Sequence, residues 1–213
     1  KIKLIQTFNV PLKEIEKVGK TYSQRAFLDK KLAEIKAGIE KKQREYRTLQ
    51  IIKNDLIDGK MEKNIKVRNV GPFFLFGKEF LDARYDRINA DITDLYKKAK
   101  ELGLSTKKQE HVLYLEPHEY GPHKTRLQIS LIISKLPKHV PEGYYAKKIP
   151  KQKVLTYTYY GPYEYLTFVH KEMYAIAKKR GFLKGYSFDI HTNGPPDTAS
   201  EYDYETLVGY PME

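Results

Sequence analysis

The chain has 213 residues and a mass of 25.0 kDa, room for one sizeable domain with an accessory element or for two small domains. Its 40% hydrophobic content excludes wholesale disorder, and no apolar run approaches the ~18 residues of a membrane-spanning helix. The absence of cysteine excludes a disulfide scaffold, a thiolate metal site and a cysteine nucleophile, and fits a reducing cytoplasm.

Lys and Arg outnumber Asp and Glu by 39 to 27, and unevenly: residues 1–66 hold 17 basic and 9 acidic side chains, residues 67–213 hold 22 and 18. A basic N-terminal third points to a polyanionic partner, most simply nucleic acid, or else to a well-solvated helix. Tyrosine is the sharper anomaly: 18 of them, mostly in the C-terminal half, beside no tryptophan. Phenol rings fill cores, and they also line cavities for flat or cationic ligands.

The chain opens on lysine rather than methionine, so a piece of a longer protein is expected. Residues 1–20 read as a short helix, a turn at Asn9-Val10-Pro11 and a second short helix ending near Gly19, with lysines too frequent for a secretory signal. Residues 21–58 then read as one long helix. From Leu28 the positions Leu32, Ile35, Ile39, Lys42, Tyr46, Leu49, Lys53 and Leu56 follow at alternating steps of four and three. That seam predicts pairing with another helix. No second such helix exists in the chain, so the expected partner is another copy of it. Asp58-Gly59 ends the element.

From residue 65 the pattern changes to strands and amphipathic helices. Strands are predicted at 65–70, 111–116, 125–134, 144–149, 153–160, 186–192 and 204–210, and helices at 79–102 and 163–180. The helices end at Gly103 and Gly181, with a tyrosine, Tyr96 or Tyr174, seven residues before each. Gly71-Pro72 and Gly161-Pro162 are read as opening two copies of a strand–helix–strand–strand unit, with a ligand cleft expected where the copies meet.

The common nucleotide-loop, hydrolase and zinc-protease signatures are missing. Six histidines include the close pair His118 and His123, which lacks a third ligand, so neither a metal nor a cofactor is expected. Asp189 and Glu205 are the informative acids. Asp189 alternates with Phe188 and Ile190 and so faces away from them. Both acids face solvent, or else line a cleft in which a partly desolvated carboxylate selects cations.

The order strand, Gly-Pro-Tyr, helix, Gly, Phe-Asp-Ile-His-Thr-Asn-Gly-Pro-Pro, strand resembles the GyrI-like effector-binding domain. The front, LIQTFNVPLKEIEKVG plus the heptad helix, is similar to the end of a MerR-family DNA-binding domain and its dimerisation helix. Together they resemble the multidrug-sensing transcription regulators of the BmrR and BltR kind, over essentially the whole chain. The resemblance implies an α+β architecture: a remnant of a winged helix-turn-helix domain (1–20), a coiled-coil dimerisation helix (21–60) and a GyrI-like domain of two modules (65–213). It implies a cytoplasmic, non-enzymatic homodimer that binds lipophilic cations, promoter DNA and RNA polymerase, without a membrane. Carried over residue by residue, it puts Asp189 at the buried acid, Tyr85, Tyr165 and Tyr202 at pocket tyrosines, Ile190 at the apolar wall and Pro72 at the first-half proline. Asp82 and Phe80 lie one turn before Tyr85, and Glu205 is a further acid near the last strand. The rival expectations are a GyrI-like hydrolase of reactive lipophilic compounds and a drug-sequestering protein without DNA.

Overall fold

The computed structural model describes residues 24–83, 88–115, 125–182, 185–195, 197–198 and 200–212. The expected helix–turn–helix of residues 1–20, Tyr85, His118 and His123 lie outside the described residues. Among the described residues no helix is long and apolar enough to cross a membrane.

The chain divides into two compact units, Lys1–Tyr46 and Arg47–Glu213. Helix α1, Gln24–Ile51, passes from one into the other as a continuous helix. In the first unit its seam residues stand open: Leu28, Leu32, Ile35, Ile39 and Tyr46 are 46–64% exposed. In the second unit α1 runs into a π-helical turn, Ile52–Ile57, and ends with Gly59 at φ 65°, followed by the short α2, Met61–Asn64. Here Asp55, buried, accepts hydrogen bonds from Tyr157 Oη (2.6 Å) and Asn64 Nδ2 (3.1 Å).

Among the described residues that unit continues with eight antiparallel strands: β1 (Lys66–Val70), β2 (Phe73–Ala83), β3 (Thr106–Tyr114), β4 (Thr125–Ile133), β5 (Tyr145–Ile149), β6 (Gln152–Tyr160), β7 (Ser187–Asn193) and β8 (Glu205–Pro211). Helices α3 (Ile88–Glu101) and α4 (Leu166–Lys179) complete it. The strand order is β1-β6-β8-β7-β3-β4-β2-β5, so β2–α3–β3–β4 and β6–α4–β7–β8 form the two halves and meet at β3 and β7. The two helices also stop alike. Gly103 and Gly181 take positive φ, and Leu104 and Phe182 donate back to Ala99 O (2.9 Å) and Ala177 O (2.8 Å). Each of these two apolar residues then packs into its own half's core, a glycine-terminated cap with its hydrophobic contact.

Two sequence expectations need correction. Residues 79–83, expected to begin a helix, continue β2, so Phe80 and Asp82 stand on a strand. Pairing explains it: Glu79, Phe80 and Ala83 pair with Gln128, Leu127 and Thr125 of β4, and this tertiary partner outweighs local propensity. Gly71-Pro72 also does not correspond to Gly161-Pro162. The former joins β1 to β2, while the latter ends β6, the counterpart of β2.

The bend at Gly71 has a specific shape. β1 pairs with β6 and β2 with β5 in one unbroken register, Val70 facing Gln152 and Phe73 facing Ile149. Residues 66–77 and 145–156 therefore make one bent two-stranded ribbon that gives each half its outer strand and curls the sheet into a half-barrel. Gly71 sits at the bend with φ 87°, where a Cβ would come within 3.0 Å of Pro150 O.

Alternation along the strands sorts the core. Leu127, Ile129, Leu131 and Ile133 share a face with Val112 and Tyr114 and pack under α3. Tyr157, Tyr159, Val208 and Tyr210 do the same under α4. The opposite face buries Val70, Leu75, Leu113, Ile132, Val154, Phe188 and Ile190.

Candidate functional site

At the seam between the halves β3 and β7 set Glu110 opposite His191, Val112 opposite Asp189 and Tyr114 opposite Ser187, all on the helix face. Polar groups fill the centre of this stretch, between two apolar cores. Asp189 is completely buried. Tyr114 Oη donates to its Oδ2 at 2.9 Å, and His170 Nε2, reaching down from α4, lies 3.0 Å from each carboxylate oxygen. Tyr210 Oη donates to the His170 carbonyl oxygen at 3.1 Å and lies 3.3 Å from Nδ1. The Tyr114 ring meets the imidazole edge-on at 4.8 Å. Asp189 is thus held by a phenol and an imidazole of its own chain.

One pair along the strands, Glu110 is 4% exposed and accepts a hydrogen bond from Tyr96 Oη of α3 at 2.7 Å. Its cross-strand neighbour His191 is stacked under the Tyr163 ring at 4.5 Å, and Tyr163 meets Tyr204 at 4.7 Å. Burial, then the carboxylate of Glu110, pushes the phenols of Tyr96 and Tyr163 well above the usual tyrosine range, and Asp197 adds to both. Burial pulls His191 below the ordinary histidine value, against the opposing pull of Asp189 and Glu110. A buried His with lowered affinity for protons stays neutral near pH 7. Tyr163 Oη and Thr206 Oγ1 are buried with no hydrogen-bond partner among the described residues, and Thr206 pairs with His191 across β7 and β8.

The residues expected at the site are dispersed. Asp189 lies at the seam. Ile190 points to the opposite face, into the cluster with Leu75 and Val154, so it cannot wall a pocket that holds Asp189: neighbouring strand residues face opposite ways. Glu205 begins β8 on the Ile190 face, with its carbonyl oxygen accepting from Thr192. Tyr165 and Tyr202 lie near each other and near Glu164 and Tyr159; no described contact joins them to Asp189. Phe80 packs, half-buried, beneath α3, Pro72 is exposed at the ribbon bend, and Asp82 lies on β2. Glu110, Tyr96, Tyr163, His191 and His170 were not singled out as site residues, although Tyr96 and Tyr163 stood in the repeated motifs. Among the described residues no cluster of acids and histidines has the form of a metal site.

Neither a protein-family model nor a curated protein sequence matches the chain. Solved structures do. A cryo-EM structure described as an EcmrR–DNA complex in EcmrR-RPo is 13% identical with a TM-score of 0.64, covering 99% of this chain and 80% of that one. The EcmrR C-terminal domain alone is 14% identical with a TM-score of 0.63, covering 70% of this chain and 96% of that one. SAV2435 bound to tetraphenylphosphonium follows at 10% identity and a TM-score of 0.49, covering 70% and 93%. The fold is therefore that of the EcmrR C-terminal domain. The expectation of a protein without enzymatic activity is withdrawn: two similar structures from Listeria innocua, both 12% identical, with TM-scores of 0.48 and 0.45, are described as hydrolases.

Proposed function

We propose that this chain is the dimerisation and effector-binding part of a MerR-like transcription regulator. Its seam would receive lipophilic, cationic small molecules. The carrying observation is the convergence of two buried carboxylates, Glu110 and Asp189, with the rings of Tyr96, Tyr114 and Tyr163 between α3 and α4. Partly desolvated carboxylates beside aromatic faces favour a soft cation over a neutral ligand, each ring adding about 0.5–2 kcal/mol. The likeness to EcmrR over 99% of the chain supports the role, with promoter DNA and RNA polymerase as partners in the cytoplasm. The open apolar stripe of α1 supports pairing with a second copy. A ligand that prefers one arrangement of the two halves shifts the population of the rod attached to them.

Isothermal titration of the 213-residue chain with tetraphenylphosphonium and with neutral triphenylphosphine oxide tests the reading. The cation binds and the neutral compound binds more weakly. A chain that takes up neither is not an effector domain for lipophilic cations.

A further inference from the structure

We infer that Glu110, not Asp189, is the side chain that meets the positive charge of the ligand; the inference rests on the effector-binding reading above. The two acids are both buried, but their partners differ in kind. Asp189 already has an imidazole at 3.0 Å and a phenol at 2.9 Å, although its Oδ1 accepts no hydrogen bond from the described residues. A cation arriving there must first displace His170, whose ring is 2% exposed and anchored to Tyr210. Glu110 has a phenol alone: among the described residues no ion pair joins it to a cation, and its cross-strand neighbour His191 is held neutral. A neutral hydrogen bond compensates little of the cost of burying a carboxylate, and a bound cation compensates far more.

The surroundings fit this assignment. Tyr163, stacked on His191, covers Glu110's side of the seam with a flat ring whose hydroxyl has no partner among the described residues. Thr206, fully buried beside His191, holds a second hydroxyl with no partner among the described residues. Asp197, exposed, acts on both Tyr96 and Tyr163 and so adds negative charge at the outer side of the same place. The ligand class this specifies is an aromatic or delocalised monocation, its ring against His191 or Tyr163 and its charge on Glu110.

Three variants of the full chain, titrated with tetraphenylphosphonium and triphenylphosphine oxide, decide it. Glu110→Gln is expected to weaken the cation roughly tenfold or more and to leave the neutral compound unchanged. His170→Gln is expected to leave the cation affinity within about twofold, because the acid it releases is not the recognition charge. Tyr96→Phe keeps the test alive should Glu110→Gln fail to fold: it removes the phenol that competes for Glu110 and tightens the cation several-fold. A silent Glu110→Gln together with tighter cation binding in His170→Gln overturns the inference and returns the role to Asp189, as does an unchanged or weakened cation in Tyr96→Phe. A wild-type chain that binds both compounds equally overturns the cation preference and the Glu110 assignment with it, and leaves small-molecule binding at the seam standing. One that binds neither overturns the effector-binding reading beneath it.

Discussion

The face of the sheet away from the helices also holds a titratable group under constraint. His111 is completely buried, stacked on Phe188 at 5.1 Å and near Phe73 at 6.2 Å, and its Nδ1 has no partner among the described residues. Burial, reinforced by the charge of Lys147, pulls it down to about 4. An unfolded histidine takes its proton near pH 6.5. The unfolded chain therefore binds more protons than the folded one below that value, and stability is lost as the pH falls from about 6.5 towards 4. Between pH 7.5 and pH 5 the loss from this residue is about 2 kcal/mol, read from urea midpoints; it is expected to vanish in His111→Phe. A pH dependence identical in the two proteins contradicts a neutral buried His111. At this scale Asp189 was legible in the sequence, since an acid between Phe188 and Ile190 faces away from both. Glu110 and His170 were not. Each acquires its meaning from a partner 14 to 19 positions away, Tyr96 or Asp189, on an element that only the fold brings near.

Among the strands, β2 was the one sequence reasoning missed, and its middle shows what defines it. Gly77 pairs with Ser130 on one side and Tyr145 on the other, and a Cβ there would lie 2.2 Å from Ile129 O and 2.8 Å from Ser130 Cα. The obstruction is backbone, which cannot swing aside as a side chain can. Gly77→Ala is expected to cost about 3 kcal/mol, measured as a lowered denaturant midpoint. A change below about 0.5 kcal/mol would mean that β4 is not packed so closely against β2. Such a constraint is invisible in FFLFGKEF, which offers neither a turn nor clean alternation. Helices α3 and α4 could be read because their closing glycines and their periodicity act locally. The turn after α1 carries a different dependence. Tyr157→Phe leaves Asp55 buried with only the Asn64 amide, at an expected cost of about 1–3 kcal/mol by the same assay. No loss of stability would show that water replaces the phenol.

For the whole molecule, the order of parts was readable and the pairing of strands was not. The heptad stripe of α1 carried its own signal, and its open residues make an assembly prediction. Light scattering at micromolar concentration is expected to give twice the 25.0 kDa chain mass, and Ile35→Glu with Ile39→Glu to give the single-chain mass. A wild-type monomer removes the paired rod from the proposed mechanism. The strand pairing instead depended on the bent ribbon. Because β1 comes early in the chain yet borders β6, the second half lacks an edge until residues 66–70 reach it, and the first half waits for 145–149. A nascent chain emerging from the ribosome therefore gains the outer strand of its first half only at residues 145–149, and β1 waits for its partner until β6 follows. Cutting the gene within residues 134–144 yields two pieces that are each incomplete alone and complement one another only when both are present.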